Sequence, residues 1–206
     1  MAARAPRKPS PRHAEITGVA LDLAFEVGPA RVSTGMIAER LGISQPAVYK
    51  HFRKKQDIWI AVGEDIAGRI AAITVSAQDV ARPVEERIGA LVLDHLRLIE
   101  SVPALPDIML LRDADQSLRP LRDQIIAAMA AYRAQMISLV REACESGVFA
   151  SHVDPEDATS LLIGLIQSLV LRMVLSRSRG ALVRDGERLL ALLLQGFACR
   201  APGAAG

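Results

Sequence analysis

Residues 33–55 read STGMIAERLGISQPAVYKHFRKK. This stretch predicts two short helices joined by a tight turn. Ser33 or Thr34 supplies a hydroxyl that can cap the first helix, and Ser44 does the same for the second. Gly42 lies between them and tolerates the backbone angles that a tight turn requires. The stretch therefore has the pattern of a helix-turn-helix.

The two sides of this segment differ in chemistry. Ala38 is small where the helices would cross, and Pro46 lies in the first turn of the second helix, where its missing N–H is not needed. A small apolar core is predicted from Ile37, Leu41, Ile43, Val48 and Phe52. The outward side carries short or polar groups, namely Ser44, Gln45, Ala47, Lys50 and His51. Such groups suit base edges and phosphates, so the second helix is predicted to enter the major groove of DNA.

The segments MIAERLGIS (36–44) and VYKHF (48–52), followed by Lys55, resemble the DNA-binding signature of the TetR (tetracycline repressor) family. That signature has Ile-Ala before a Gly-hydrophobe-Ser turn. An aromatic residue, a His-Phe pair and a lysine at the start of the fourth helix follow. The resemblance implies an all-α fold and a transcriptional regulator that binds DNA.

The resemblance also implies roles for individual residues. Gln45 and Ala47 would read bases, and phosphates would be contacted by Thr34, Tyr49, His51 and Lys55. The predicted DNA-contact set is Thr34, Ser44, Gln45, Pro46, Ala47, Tyr49, Lys50, His51 and Lys55. Ser33 occupies a position where the family more often has Thr, which keeps a capping hydroxyl. Pro46 removes one backbone donor, which bears on the bases that are read.

Charge is distributed unevenly along the chain. Residues 1–60 carry a net charge of +5, and the remainder carries −3. A basic front end on an acidic body suits a DNA-binding protein, because phosphate neutralisation supplies most non-specific affinity. Apolar residues make up 50% of the chain and aromatic residues only 3%, so the core is predicted to be aliphatic. The absence of sustained period-two patterns favours helices throughout.

Helical periodicity predicts about nine helices. Besides the two short ones, they cover approximately residues 13–28, 54–70, 83–101, 106–113, 118–147, 155–177 and 185–199. The predicted organisation is a disordered basic arm (1–12), a helix-turn-helix domain (13–56), a ligand-binding and dimerisation domain (57–200) and a disordered tail (201–206).

The last two helices are predicted to form a homodimer interface. Residues 158–175 are apolar nearly all round, and a helix of this kind needs burial on two sides. An internal helix is the alternative, and the family resemblance implies a four-helix interface with a partner. The predicted interface residues are Leu161, Leu165, Ser168, Leu169, Arg172, Leu193 and Phe197. Arg172 is unusual in an apolar helix, and it would pair with an acidic residue, reach the interface edge or bind an anionic effector.

The middle helices are predicted to enclose a site for a small apolar or amphipathic effector. Their inward faces are mostly aliphatic, and the shortage of aromatic residues argues against a stacking pocket. The candidate lining residues are Leu91, His95, Leu98, Ile125, Met129, Tyr132 and Gln135. A single histidine on an apolar face, such as His95, is either a core residue or a ligand contact.

Other function classes find little support. The chain has no Gly-rich phosphate loop, no nucleophile elbow and no metal-spaced His/Cys set, so no enzyme activity, cofactor or metal is expected. No secretory signal is visible, and the apolar run 161–175 is shorter than the roughly 20 residues that cross a bilayer. Cys144 and Cys199 are expected to be buried thiols in a reducing cytoplasm.

The predicted function is a ligand-responsive repressor that binds a palindromic operator as a homodimer. An activator and an architectural DNA-binding protein without ligand control remain alternatives.

Overall fold

The protein is described by a computed structural model that covers residues 10–110, 116–176 and 181–199. These residues form nine α-helices: α1 (Pro11–Val27), α2 (Thr34–Arg40), α3 (Gln45–His51), α4 (Lys55–Ser76), α5 (Val84–Ser101), α6 (Leu105–Leu110), α7 (Arg119–Glu145), α8 (Pro155–Ser176) and α9 (Leu182–Phe197). Two short 3-10 turns lie at Pro29–Arg31 and Gln116–Leu118. The predicted all-α class is therefore confirmed.

The first helix begins at Pro11, earlier than the predicted start near His13. The side chain of Ser10 accepts a hydrogen bond from the backbone N–H of His13, and Pro11 occupies the first turn, where it needs no donor. Residues 10–12 of the predicted arm thus belong to an ordered helix start. The predicted disorder of residues 1–9 and 201–206 falls outside the described residues.

The last helix begins at Leu182, before the predicted start at Asp185. A carboxylate from another helix caps its N-terminus: Glu100 of α5 accepts a hydrogen bond from the backbone N–H of Val183 at 3.1 Å. Asp185 pairs with Arg172 and Arg188 instead of capping. The helix predicted at 106–113 is α6, which begins at Leu105; residues 111–113 fall outside the described residues.

One compact unit contains the described residues up to Asp65 together with those of 107–124. Helices α1, α2 and α3 pack against one another in it. Most of the predicted apolar faces form its interior, where Ile16, Ala20, Ile37, Val48, Phe52, Ile58 and Val62 are each at most 5% exposed. Leu41 and Ile43, which were also predicted for this core, are only half-buried. In this unit α4 and α7 cross closely at Gly63, where a Cβ atom would lie 2.9 Å from the Cα atom of Leu121.

A second compact unit contains the described residues of 66–106 and those from Ile125 onward. Helices α5, α8 and α9 pack against one another in it. Close approach of α9 to α5 depends on Gly186, because a Cβ atom there would overlap Cδ1 of Leu96. The chain beyond α7 pairs with the end of α9, where the N–H of Ala150 donates to the carbonyl of Phe197 at 2.9 Å.

Among the described residues of this unit, Arg87 is the buried cation, whereas Arg172 is exposed. Arg87 is 4% exposed, and its guanidinium donates to the carbonyl of Ala77 at 2.9 Å and to Glu142 at 2.7 Å. The side chain of Arg172 is 57% exposed and pairs with Asp185. Of the three roles left open for Arg172, the structure shows the first, because Arg172 pairs with an acidic residue.

The two cysteines differ in environment. Cys144 is partly buried and its thiol donates to the carbonyl of Val153 at 3.5 Å. Burial raises the pKa of this thiol, which opposes thiolate formation. Cys199 is exposed, contrary to the expectation of burial, because it follows the last turn of α9.

Candidate nucleic-acid interface and effector site

Helix α3 is held by the turn that the sequence predicts. Gly42 has a φ of +64°, which a residue with a side chain rarely adopts. The N–H of Ile43 then donates to the carbonyl of Ala38 at 3.0 Å, which fixes α3 against α2. Ala38 is 3% exposed at this crossing, and Val48 of α3 is fully buried. One side of α3 is therefore packed, and the other is open to solvent.

Most of the predicted DNA-contact residues lie on the open side. The exposed ones are Ser44, Gln45, Pro46, Tyr49, Lys50 and His51. Ala47 and Lys55 are half-buried, and Thr34 is buried. Ser44 precedes α3 as its N-cap but makes no capping hydrogen bond through its side chain, so its hydroxyl is not used by the helix.

Thr34 has a different environment from the one predicted. Ser33 caps α2 by accepting from the N–H of Met36 at 3.2 Å, so the Thr34 hydroxyl is not needed as a cap. It accepts from Nε2 of Gln45 at 2.8 Å and lies 3.1 Å from the hydroxyl of Tyr49. At 6% exposure, Thr34 is an interior residue, which argues against the predicted phosphate contact through its hydroxyl.

His13 is a neighbour of α3 that was not predicted from the sequence. Its ring centroid lies 4.5 Å from that of Phe52 and 5.5 Å from that of His51. His13 thus contacts the exposed His51 ring edge to face. Its position could have been predicted from the sequence, because His13 lies three residues before Ile16 and therefore on the packed face of α1.

Positive charge collects where α3 meets α4. Lys50, Arg53 and Lys54 are exposed there, and Lys55 begins α4. The carboxylate of Asp57 accepts from the backbone N–H of Lys54 at 3.0 Å, so this nearby acid is used to fix the helix start. We call Lys50, Arg53, Lys54 and Lys55 the cationic rim of α3. Positive charge beside a polar helix favours contact with the phosphates of DNA.

The residues predicted to bind an effector all lie in the second unit, on α5 and α7. Leu91, His95, Leu98, Ile125 and Tyr132 are buried, and Met129 and Gln135 are half-buried. The rings of His95 and Tyr132 meet edge to face with centroids 4.8 Å apart. The Tyr132 hydroxyl donates to the carbonyl of Leu91 at 3.1 Å, and Gln135 accepts from Gln78 at 3.2 Å.

His95 is the polar residue of this group that lacks a full set of partners. It is 7% exposed, and its Nδ1 atom has no hydrogen-bond partner among the described residues. Burial lowers the pKa of His95 to about 4, so the imidazole is neutral at pH 7. A neutral imidazole nitrogen in an apolar setting can bind one polar atom of a ligand.

We expect His95 to make stability depend on pH. The unfolded chain protonates this histidine near pH 6.5, whereas the folded chain does so only near 4. Stability is therefore lost as the pH falls through this window, by about 2 kcal/mol between pH 7 and 5. Denaturant unfolding at fixed protomer concentration measures it. His95→Gln should lose this dependence, whereas His152→Gln, at an exposed site, should keep it. Equal profiles for both variants would contradict the assignment.

The residues predicted to form a dimer interface divide into two groups. Leu161, Leu165, Ser168 and Leu193 line an open groove of about 520 Å³ between α8 and α9, and Arg172 is exposed on the same helix. Leu161 and Leu192 of this groove are 54% and 61% exposed, which is unusual for leucine. Leu169 and Phe197 are 2% and 7% exposed, so they belong to the protomer core and not to this face.

Two sequence families match this chain, over separate ranges. "Bacterial regulatory proteins, tetR family" matches residues 16–62, and "Tetracyclin repressor-like, C-terminal domain" matches residues 108–186. The chain belongs to the TetR family. It is accordingly a DNA-binding transcriptional regulator.

Individual relatives of this TetR-family regulator agree with the assignment. The "Fatty acid metabolism regulator protein" of Bacillus subtilis (strain 168) is 23% identical over 189 residues, which cover 91% of this chain and 96% of that protein. The structure of the Bacillus subtilis transcriptional regulator FadR in complex with stearoyl-CoA has 21% identity and a TM-score of 0.68, covering 90% of this chain and 99% of that one.

A third similar protein is a putative transcriptional regulator from Saccharomonospora viridis, solved in complex with choline. It is 21% identical with a TM-score of 0.75, and the match covers 93% of this chain and all of that one. At these identities the solved structures support the fold, and their ligands are properties of those proteins.

Helix α8 of this regulator is long and apolar enough to span a membrane by length and composition alone. In the second unit it packs against α5 and α9. Core helices of soluble proteins meet the same two criteria, so composition does not decide the point.

Proposed function

We propose that this TetR-family regulator is a homodimeric repressor that binds a palindromic operator and releases it when a small effector binds. The observation that carries the DNA-binding half of the proposal is the open face of α3. It presents Gln45, Tyr49, Lys50 and His51 beside a cationic rim, while Val48 anchors the helix from behind. Gln45 and Ala47 read bases, and Tyr49, His51 and Lys55 contact phosphates. The regulator acts in the cytoplasm, without a catalytic activity of its own.

The groove between α8 and α9 supports the homodimer. It exposes several leucines on a face that α5 does not cover, and a patch of this kind marks an interaction surface. A second copy of the same face is the natural occupant, because two-fold contacts bring identical patches together. A dimer then places two recognition helices on two half-sites of a palindrome.

The cluster around His95 supports an apolar or amphipathic effector. Five of its seven residues are buried, and the free Nδ1 atom offers one polar contact within an aliphatic environment. The stearoyl-CoA complex of the FadR relative and the choline complex of the Saccharomonospora viridis protein are compatible with ligand control in this fold. Few precisely placed polar groups in an apolar lining are typical of sites for small molecules.

Helix α4 is the proposed route from effector to operator. It begins at Lys55, a proposed phosphate contact, and continues through Ile66 and Ile70, which are buried in the second unit. A displacement of α4 by the effector would change how the recognition helices meet the two half-sites. Coupling energies of this kind amount to roughly 1–3 kcal/mol, which corresponds to a 5- to 150-fold loss of operator affinity.

Selection of bound sequences from a random DNA pool tests the proposal. At a stated salt concentration, the purified protein is expected to enrich a palindrome whose half-sites lie about one helical turn, or a multiple of it, apart. The matched control is Lys50→Glu combined with Lys55→Glu, which should remove the enrichment while the protein stays folded. Weak, salt-sensitive binding without an enriched sequence would contradict the operator and favour an architectural DNA-binding protein.

A further inference from the structure

We propose that Thr34 is a positioning residue that orients Gln45 and Tyr49 on the DNA-facing side of α3 as one unit. Thr34 would thereby control base discrimination without touching a base. The inference rests on the roles proposed above for Gln45 and Tyr49. The observation behind it is the three-residue hydrogen-bond chain between α2 and α3.

The placement of the three side chains follows from helix geometry. Gln45 and Tyr49 are four residues apart on α3, so they project from the same face. Thr34 approaches this face from the first turn of α2. Its Oγ1 atom lies 2.8 Å from Nε2 of Gln45 and 3.1 Å from the Tyr49 hydroxyl. Thr34 is 6% exposed, whereas Gln45 is exposed and Tyr49 is 45% exposed. A buried hydroxyl thus anchors two exposed side chains.

When the protein is bound to DNA, the donor and acceptor capacities of the three side chains determine the direction of each hydrogen bond between them. Phosphate oxygens only accept, so a Tyr49 hydroxyl that contacts a phosphate gives its proton to the phosphate. Thr34 has one proton, and it then donates this proton to the oxygen of Tyr49. The lone pairs of Thr34 remain for the amide of Gln45. The chain therefore runs from Gln45 to Thr34 to Tyr49 to the phosphate, and each bond strengthens the next.

This arrangement leaves Gln45 competent to read adenine. Its amide nitrogen has two protons, and Thr34 accepts one of them. The second proton and the carbonyl oxygen remain for N7 and the N6 amino group of adenine. Because Thr34 restricts the rotation of a long side chain before DNA arrives, less conformational entropy is lost on binding. Without the anchor, Gln45 would lose this restriction and discriminate bases less well.

Ser33 makes this role of Thr34 separable from helix stability. The cap of α2 is the Ser33 hydroxyl, so the deletion of the Thr34 hydroxyl leaves that cap intact. Thr34→Val keeps the shape of the side chain and removes only the hydroxyl, whereas Thr34→Ser keeps the hydroxyl. These two variants form a matched pair, with thermal unfolding as the check on the fold.

The test measures dissociation constants at one salt concentration for three DNA duplexes. The first is the operator recovered by selection, and the second has the base pair whose preference is lost in Gln45→Ala replaced in both half-sites. The third is unrelated in sequence. Thr34→Val is expected to lower the preference for the first duplex over the second by about three- to tenfold per half-site, the effect of one hydrogen bond. Thr34→Ser should retain the preference, and Thr34→Val should have no further effect on it in the Gln45→Ala protein.

The outcomes separate the inference from the proposed function. If Gln45→Ala removes the preference but Thr34→Val leaves it unchanged, Thr34 is not a positioning residue while the base-reading role stands. A purely structural role of Thr34 would weaken binding to all three duplexes equally, and this result also overturns the inference. If Gln45→Ala itself weakens all three duplexes equally, the base-reading role is wrong and the inference falls with it.

Discussion

Replacement of Leu161 by glutamate is expected to convert the proposed homodimer into monomers and to abolish tight operator binding. Leu161 is 54% exposed in a groove whose other lining residues include Leu165, Leu189, Leu192 and Leu193. In a two-fold interface the new carboxylate is desolvated, and its copy enters the same patch from the other side. Two half-sites held by one dimer gain about 10²- to 10⁴-fold in affinity over separate binding, so operator affinity should fall by about that factor.

The matched control for this prediction is Ile126→Glu. Ile126 is 57% exposed on α7 and does not line the groove, so the same change of charge is made at a comparable exposure. Sedimentation velocity and operator titration of both variants measure assembly and affinity. The control should remain dimeric with near-normal affinity. A Leu161→Glu protein that stays dimeric, or two variants that dissociate alike, would contradict the assignment of the interface.

Sequence periodicity located α8 but did not separate its two faces. Residues 158–175 are apolar on nearly every side, so the pattern of apolar residues could not predict which face of the helix is buried. In the structure Leu162, Ile166 and Leu169 are buried, and Leu161 and Leu165 are more accessible. This is the 3.6-residue period of a helix whose inner side meets α5 and α9. The inward direction depends on which helices lie beside α8, and tertiary packing alone supplies that information.

The helix-turn-helix was predictable in detail because its constraints are local. The turn at Gly42, the proline in the first turn of α3 and the buried positions Ala38 and Val48 all agree with the sequence. Each of these depends on residues within a few positions along the chain. The family resemblance of residues 36–55 added the identity, and the two family matches then confirmed it.

Long-range polar contacts were not predictable in the same way. Thr34 was expected to contact phosphate, but it bonds Gln45 and Tyr49, 11 and 15 residues away. Nothing in the sequence pattern marked Arg87 as a buried residue. In the structure it is a buried cation that donates to the carbonyl of Ala77 and to the carboxylate of Glu142, which lies 55 residues from Arg87. Burial of a polar side chain depends on hydrogen-bond partners from distant segments, and a single sequence does not show which distant residues become neighbours.

Substitution of Gly63 by alanine is expected to destabilise the protein, although alanine normally favours a helix. A Cβ atom at Gly63 would overlap Oε1 of Gln124 and lie 2.9 Å from the Cα atom of Leu121. The Gln124 side chain can move away, but the backbone of α7 at Leu121 can respond only by shifting the helix. Overpacking of this kind typically costs about 1–3 kcal/mol, which exceeds the gain of about 0.5–1 kcal/mol from replacing a helical glycine.

Gly68→Ala provides the opposite expectation on the same helix. Gly68 also lies within α4, but a Cβ atom there meets nothing within 4 Å. This variant should gain about 0.5–1 kcal/mol, because alanine restricts the unfolded chain without a clash in the folded one. Thermal unfolding at one protomer concentration compares the two variants with the parent protein. The melting temperature should fall for Gly63→Ala and rise for Gly68→Ala. A rise for both would show that α4 and α7 have room to separate at Gly63, and that this crossing is not a tight contact of the first unit.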